Sequence, residues 1–264
     1  MPEVFFFGTP RRPLLGLRHA PAAQARGAVL VCAPLLQDGI RCQRALWSLA
    51  ESLAAVGVEV LRFDWHGSGD SPGSSRDLRV DGLVEDVAAA AAFLSASAPG
   101  ARMRLLALRE AALPLLAHAA GAGEPVDVVL WAPVLDGRAL VAGWRRQHGH
   151  QLHAAGRFLS KDVAGDDDEL LGFALDPSLP ADLAGLDGSC LALPRGSRLA
   201  IVHWPGAPVD AAFVQLQRAA GVEVDVVALE GVDEPAWDDP AQFELQLFPR
   251  RAVNRLAAHL AGAA

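Results

Sequence analysis

Cysteine is scarce in this 264-residue sequence, which has three in all. Cys32, Cys42 and Cys190 are too few and too scattered for a disulfide framework or a cysteine zinc site. Tyrosine is absent, asparagine occurs once (Asn254), and among 23 basic residues only Lys161 is a lysine. Such a bias, joined to abundant alanine, is that of GC-rich coding DNA. It warns against reading each Ala or Arg as chosen for function. Positive charge is also in deficit: the net charge is −8, so there is no electrostatic footprint for nucleic acid or an anionic membrane.

Long apolar runs are missing as well. None approaches the roughly 20 residues that a spanning helix needs; Ala88–Phe93 is bracketed by Asp81, Glu85 and Asp86 and by Ser95 and Ser97. The opening Met-Pro-Glu-Val-Phe-Phe-Phe-Gly has no basic segment leading into a long apolar one, so no signal peptide and a cytoplasmic location are expected. What is present is 52% apolar and 20% charged residues, the balance of a globular chain with a sizeable core.

Hydrophobic periodicity orders that chain. Glu3–Phe7 and Leu14–Arg18, split by Pro10 and Pro13, fit an antiparallel pair at a sheet edge. Gly27–Ala33, Val58–Phe63, Arg104–Leu108 and Val126–Ala132 read as buried strands. Between them, Cys42–Ala55, Asp81–Ser97 and Arg109–Ala119 carry helical apolar stripes, so a mostly parallel sheet with right-handed crossovers follows. Residues 136–194 break the rhythm with a basic helix over Leu140–Arg157 and an acidic run Asp166–Glu169, as a cap inserted into one domain would. Leu199–His203, Val209–Ala220, Val222–Leu229 and Phe243–Ala261 then resume strand, helix, strand and helix.

Three stretches carry chemistry. Leu61-Arg-Phe-Asp-Trp-His-Gly-Ser-Gly-Asp-Ser-Pro-Gly73 is a glycine-rich loop after a strand. Leu105-Leu-Ala-Leu-Arg-Glu-Ala-Ala-Leu-Pro114 runs strand, turn, helix, with Arg109 between the small residues Ala107 and Ala111. Val128-Val-Leu-Trp-Ala-Pro-Val-Leu-Asp-Gly137 leads from a strand into the basic helix. In these stretches, and in Leu170–Ser178, the sequence resembles the α/β-hydrolase superfamily, in its serine-aminopeptidase-like branch. It is similar above all to the hydrolase-like proteins associated with the exosortase A system. The resemblance covers nearly the whole chain and implies an α/β-hydrolase fold with a helical cap. It implies no cofactor and no metal.

Acyl transfer on such a fold needs a nucleophile on the strand–turn–helix elbow, then an acid and a histidine in chain order. Arg109 occupies the elbow and cannot attack a carbonyl. The loop expected to hold the histidine, Glu230–Asp239, contains none, and the acid loop retains only Asp210. His66 and Ser68 form a His-x-Ser pair in the glycine-rich loop, where Asp64, Gly67, Gly69 and Ser71 equally suit a tight structural turn. Cys42 opens a helix, where a thiolate is favoured; an inert helix cysteine is the alternative. His148, His150 and His153 lack the spacing of a metal pair and fit a solvated basic face.

Three functional readings follow. In the first, the protein is a degenerate hydrolase that binds an acyl or anionic small molecule at Arg109, with Leu35, Leu36 and Glu234 at the site; alanines in place of glycines would blunt its turn. The alternative is that Arg109 only plugs a dead site, paired with Glu234 or Asp233 across it; in either case Gln37, Asp38, Arg41 and Arg44 crowd the rim. In the second, it is an ester, thioester or amide hydrolase using Ser68, His66, Asp64 or Glu110. In the third, it is a non-catalytic partner in exopolysaccharide or secondary-metabolite assembly. A homodimer is compatible with each.

Overall fold

A computed structural model describes residues 2–153, 168–231, 234–237, 239, 242 and 245–262. Strands β1 (Glu3–Thr9) and β2 (Arg12–His19) form the expected antiparallel edge, with Phe6 opposite Leu15. Strand β3 (Gly27–Cys32) is buried along its whole length, which is why its sequence is a continuous apolar run. Helix α1 (Leu36–Ala55), β4 (Val58–Phe63), α2 (Val80–Ser97), β5 (Arg102–Leu108), α3 (Ala112–Ala120) and β6 (Asp127–Trp131) follow in alternation. After β6 the chain inserts α4 (Gly137–His153), a short hairpin of β7 (Glu169–Leu170) and β8 (Phe173–Ala174), and α5 (Ser178–Gly185). It returns to the sheet as β9 (Arg198–His203), α6 (Ala211–Ala219), β10 (Glu223–Ala228) and α7 (Arg250–Gly262).

The eight-stranded sheet has the order β1-β2-β4-β3-β5-β6-β9-β10. Strand β2 runs antiparallel to β4; every pairing from β4 to β10 is parallel. Period-two alternation sends Leu30, Leu105 and Leu130 to one face, against Leu83, Val87 and Leu94 of α2. Val29, Val31 and Val129 point to the other, against Leu46, Leu49 and Leu53 of α1 and Leu256 and Leu260 of α7. Among the described residues, no helix is long and apolar enough to cross a membrane.

Two helix starts differ from the sequence reading. Helix α1 begins at Leu36 rather than Cys42, so Asp38 and Arg41 are helical and buried instead of lying on a loop rim. Neither a capping side chain nor an apolar stripe marks that start: Leu35 supplies no cap, and Gly39 sits in the first turn. A β-carbon at Gly39 would lie 2.5 Å from the Pro34 carbonyl oxygen, so glycine is required by close approach of the backbone. Helix α7 begins at Arg250 rather than Phe243, directly after Pro249. The part of the basic helix beyond His153, and the first half of the acidic run, lie outside the described residues.

The glycine-rich loop after β4 is a tight turn held from inside. Asp64 Oδ2 accepts from the Asp70 N–H at 3.0 Å. Ser71 Oγ donates to the Asp64 carbonyl at 2.6 Å and accepts from the Leu15 N–H at 2.8 Å, which ties the loop to β2. Gly67 has φ +82°, and a β-carbon there would meet the Ser74 carbonyl oxygen at 2.2 Å. Below the loop, buried Asp86 of α2 accepts from Arg12 Nε at 2.5 Å and from the His66 N–H at 3.0 Å. A Gly67→Ala variant combines positive φ with a backbone clash, so a loss of roughly 2–4 kcal/mol is expected. Urea unfolding measures it, and a loss below about 1 kcal/mol would show that the loop relaxes around the new methyl group.

Candidate active site

Strand β5 ends at Leu108, and Arg109–Ala111 form a single 3-10 turn before α3. Arg109 itself adopts φ +56°. The expectation that alanines at 107 and 111 would blunt the turn is thus corrected. The left-handed residue is the central one, and Ala107 and Ala111 need no positive φ. A non-glycine residue in that region costs of the order of 1–2 kcal/mol, so surrounding contacts have to hold it. One is local: the Val134 N–H donates to the Arg109 carbonyl at 3.2 Å.

Further contacts are electrostatic. Arg109 Nε donates to Asp38 Oδ2 at 3.3 Å, and its guanidinium carbon lies 4.6 Å from the centroid of the Trp237 ring. Asp38 Oδ1 accepts from Arg41 Nη1 at 2.9 Å, so one carboxylate bridges two arginines. Arg41 is 2% exposed and also donates to the carbonyls of Trp237, Ala236 and Leu245 at 3.0, 3.2 and 3.4 Å. These bonds fasten the loop before α7 to α1. Trp237 in turn meets Trp204 edge-on at 6.2 Å, and Trp204 stacks on Trp131 at 6.0 Å. The pairing of Arg109 with a carboxylate was anticipated, and among the described residues Asp38 makes it. Glu234 lines the same cavity without an ion pair to Arg109 among the described residues, and Asp233 lies outside them.

Glu110 follows Arg109 and is fully buried. Its Oε1 accepts from the Leu35 N–H, in the loop between β3 and α1, at 2.8 Å. Its own main-chain N–H also favours the ionised carboxylate. Those two amides, after the elbow residue and in the β3–α1 loop, are the donors that this strand–turn–helix geometry directs at an oxyanion. Here they face an internal carboxylate. Glu110 Oε2 has no hydrogen bond among the described residues and lies 3.9 Å from Arg109 Nε. Burial, reinforced by the charge of Asp38, pushes the Glu110 carboxyl up to about 8.

Beside the elbow, at the carboxyl ends of β6 and β9, lies a cavity of about 330 Å³. Its walls include Val134, Ile201 and Phe213, and its polar groups include Asp136, His203 and Asp210. His203 Nδ1 lies 2.9 Å from the Trp204 carbonyl, which only accepts, so Nδ1 donates there and Nε2 is the acceptor of the neutral ring. His203 was not singled out from sequence. Its signal was its place as the last residue of a buried strand, where α/β sheets bind ligands.

The other sequence candidates are dispersed. His66 Nδ1 lies 3.4 Å from the Pro13 carbonyl, and neither His66 nor Ser68 lines the cavity with Arg109. Leu35 and Leu36 are buried at the start of α1. Asp210 caps α6, accepting from the N–H groups of Ala212 and Phe213 at 2.9 and 3.0 Å. Cys42 is buried and its thiol is pushed far up by desolvation, so no thiolate forms there. Cys190 Sγ donates to Asp187 Oδ2 at 3.3 Å. Among the cap histidines, His148 Nδ1 accepts from the Leu171 N–H at 3.1 Å. His259 lies by Arg104 at the amino-terminal end of the sheet, far from the elbow in topology. Among the described residues, no three His, Cys, Asp or Glu side chains are placed to hold a metal ion.

The Glu110 carboxyl makes a pH-dependent contribution. Its folded pKa lies above the ordinary 4.5, so the native chain holds this proton more tightly than the unfolded chain. The resulting stability is fully present below about pH 4.5 and is lost as pH rises through about 8. A Glu110→Gln variant keeps the acceptor for Leu35 and cannot ionise. Its thermal midpoint should match wild type near pH 5 and exceed it near pH 9. A difference that stays constant across that range would show that Glu110 does not titrate in it.

No family model matches this sequence, nor does any curated protein. Solved structures do. Est1E from Butyrivibrio proteoclasticus superposes with a TM-score of 0.61 at 13% identity, over 98% of this chain and 99% of that one. The esterase domain of a Rhodothermus marinus protein gives 0.57 at 21%, over 99% and 98%. An alpha-beta serine hydrolase homologue from Coxiella burnetii gives 0.56 at 17%, over 99% and 96%. Taken with the strand order and the antiparallel second strand, these end-to-end superpositions establish that the chain has the α/β-hydrolase fold.

Proposed function

We propose that this protein is a non-hydrolytic member of the α/β-hydrolase fold whose cavity binds a small molecule. The carrying observation is the placement of Glu110: the two amides that would stabilise a tetrahedral oxyanion are turned onto a buried carboxylate. An oxyanion arriving there would meet like charge or a neutral acid, not a pair of donors. Arg109 supports the same reading from the other side. It stands where a nucleophile would attack, and the Asp38 carboxylate and the Trp237 ring hold it in place.

The cavity favours binding over an inert scaffold. It is concave, mostly apolar and at the carboxyl ends of the strands, the usual place for ligands in open α/β sheets. Within this proposal the acyl half of the sequence reading, an apolar body on Ile201 and Phe213, is retained. The anionic half depended on a guanidinium without a carboxylate, and Asp38 is that carboxylate. The likeness to exosortase-associated proteins also stays within the proposal and rests on the Arg109 elbow and the Trp131-Ala132-Pro133 junction.

An activity-based fluorophosphonate probe and a panel of p-nitrophenyl esters from acetate to octanoate test this reading. The full-length protein should show no covalent labelling and no turnover above buffer. Labelling or turnover that Ser68→Ala abolishes would replace it with hydrolysis through the His66–Ser68 loop. Turnover that Glu110→Gln abolishes would instead make Glu110 an acid–base group.

A further inference from the structure

Charge and hydrogen-bonding capacity around the cavity are lopsided. Among the described residues three carboxylates line it, Asp136, Asp210 and Glu234, against one cation, Arg109. The Arg109 side chain is only 14% exposed and is engaged by Asp38. Asp136 Oδ1 accepts from the Ala139 N–H at 2.9 Å, and Asp210 Oδ1 serves the first turn of α6. Those caps fix both carboxyl groups at the cavity wall, and the second oxygen of each has no hydrogen bond among the described residues. Glu234 has neither a hydrogen bond nor an ion pair there. His203 adds a further acceptor, Nε2, because its Nδ1 proton is spent on Trp204.

The Trp237 ring also forms part of the wall, while its indole Nε1, without a partner among the described residues, is sealed off from the cavity and offers a ligand no donor. The cavity thus offers several acceptors, negative charge and an apolar bed formed by Ile201 and Phe213. From this we infer that its ligand is a small protonated amine carrying an apolar body. The inference rests on the reading that this cavity binds a ligand, and deepens it by naming the class. An ammonium group supplies three donors and no acceptor, which matches the carboxylates and His203 Nε2. A carboxylate ligand would face three like charges at close range. At about 330 Å³ the cavity is at the small end of ligand sites, which limits the body to one ring or a short chain.

An isosteric series decides the matter on the full chain: phenylalaninol as the amine, 3-phenylpropane-1,2-diol as the neutral analogue and 3-phenyllactate as the anion, titrated calorimetrically near pH 7. Phenylalaninol should bind at least tenfold more tightly than the diol, and phenyllactate more weakly than both. Asp210→Asn keeps a good helix cap, so combined with Glu234→Gln it should remove most of the amine preference without changing the fold, as judged by the thermal midpoint. Diol and amine binding equally well would overturn the amine class and leave small-molecule binding intact. Phenyllactate binding tightest would overturn it in favour of an anion site at Arg109. Binding by none of the three would overturn the amine class together with the small-molecule reading beneath it.

Discussion

Asp38 holds two arginines at once, and most of the elbow depends on that bridge. Through Arg109 it secures a non-glycine residue in left-handed backbone; through Arg41 it secures the loop before α7, whose carbonyls Arg41 collects. A buried guanidinium is costly unless paired and hydrogen-bonded, and the one carboxylate serves both arginines. The Trp131–Trp204–Trp237 column gives the cluster an apolar flank, and the Arg109 guanidinium lies over its last ring. A cation over a desolvated indole adds attraction of about 1–2 kcal/mol.

The consequence is an elbow that keeps its shape while its chemistry changes. In this strand–turn–helix geometry the left-handed residue is presented at the top of the sheet, whatever its side chain. Here the presented group is a guanidinium turned aside onto Asp38, and the neighbouring amides are turned onto Glu110. Preorganised donors accelerate a reaction only when they are aimed at developing charge. Once a resident carboxylate has them, the polar capacity left in the pocket lies in the acceptors on its far wall.

Much of the fold was legible in sequence because its signals are local. Continuous apolar runs such as Gly27–Ala33 belong to strands buried on both faces, and β3 is such a strand. Leu46, Leu49 and Leu53 recur at helical spacing and all pack on one core. The glycines of the loop after β4 announced a tight turn, and their positive φ values are its reason. The start of α1 was hidden because nothing local marks it: Gly39 reads as a loop residue, yet it is small because Pro34 approaches it.

Sequence alone determined that an arginine, which cannot attack a carbonyl, stands between Ala107 and Ala111 and that the Glu230–Asp239 loop lacks a histidine, since residue identity needs no coordinates. Tertiary structure decided what each charge does. Asp38 and Arg109 stand 71 residues apart in different elements, and ion pairing acts through space over a few ångströms. Nothing in the order of residues tells Asp38 from Glu234 as the partner of Arg109. Folding α1 against β5 does, and it also places the Glu110 carboxylate on the Leu35 amide.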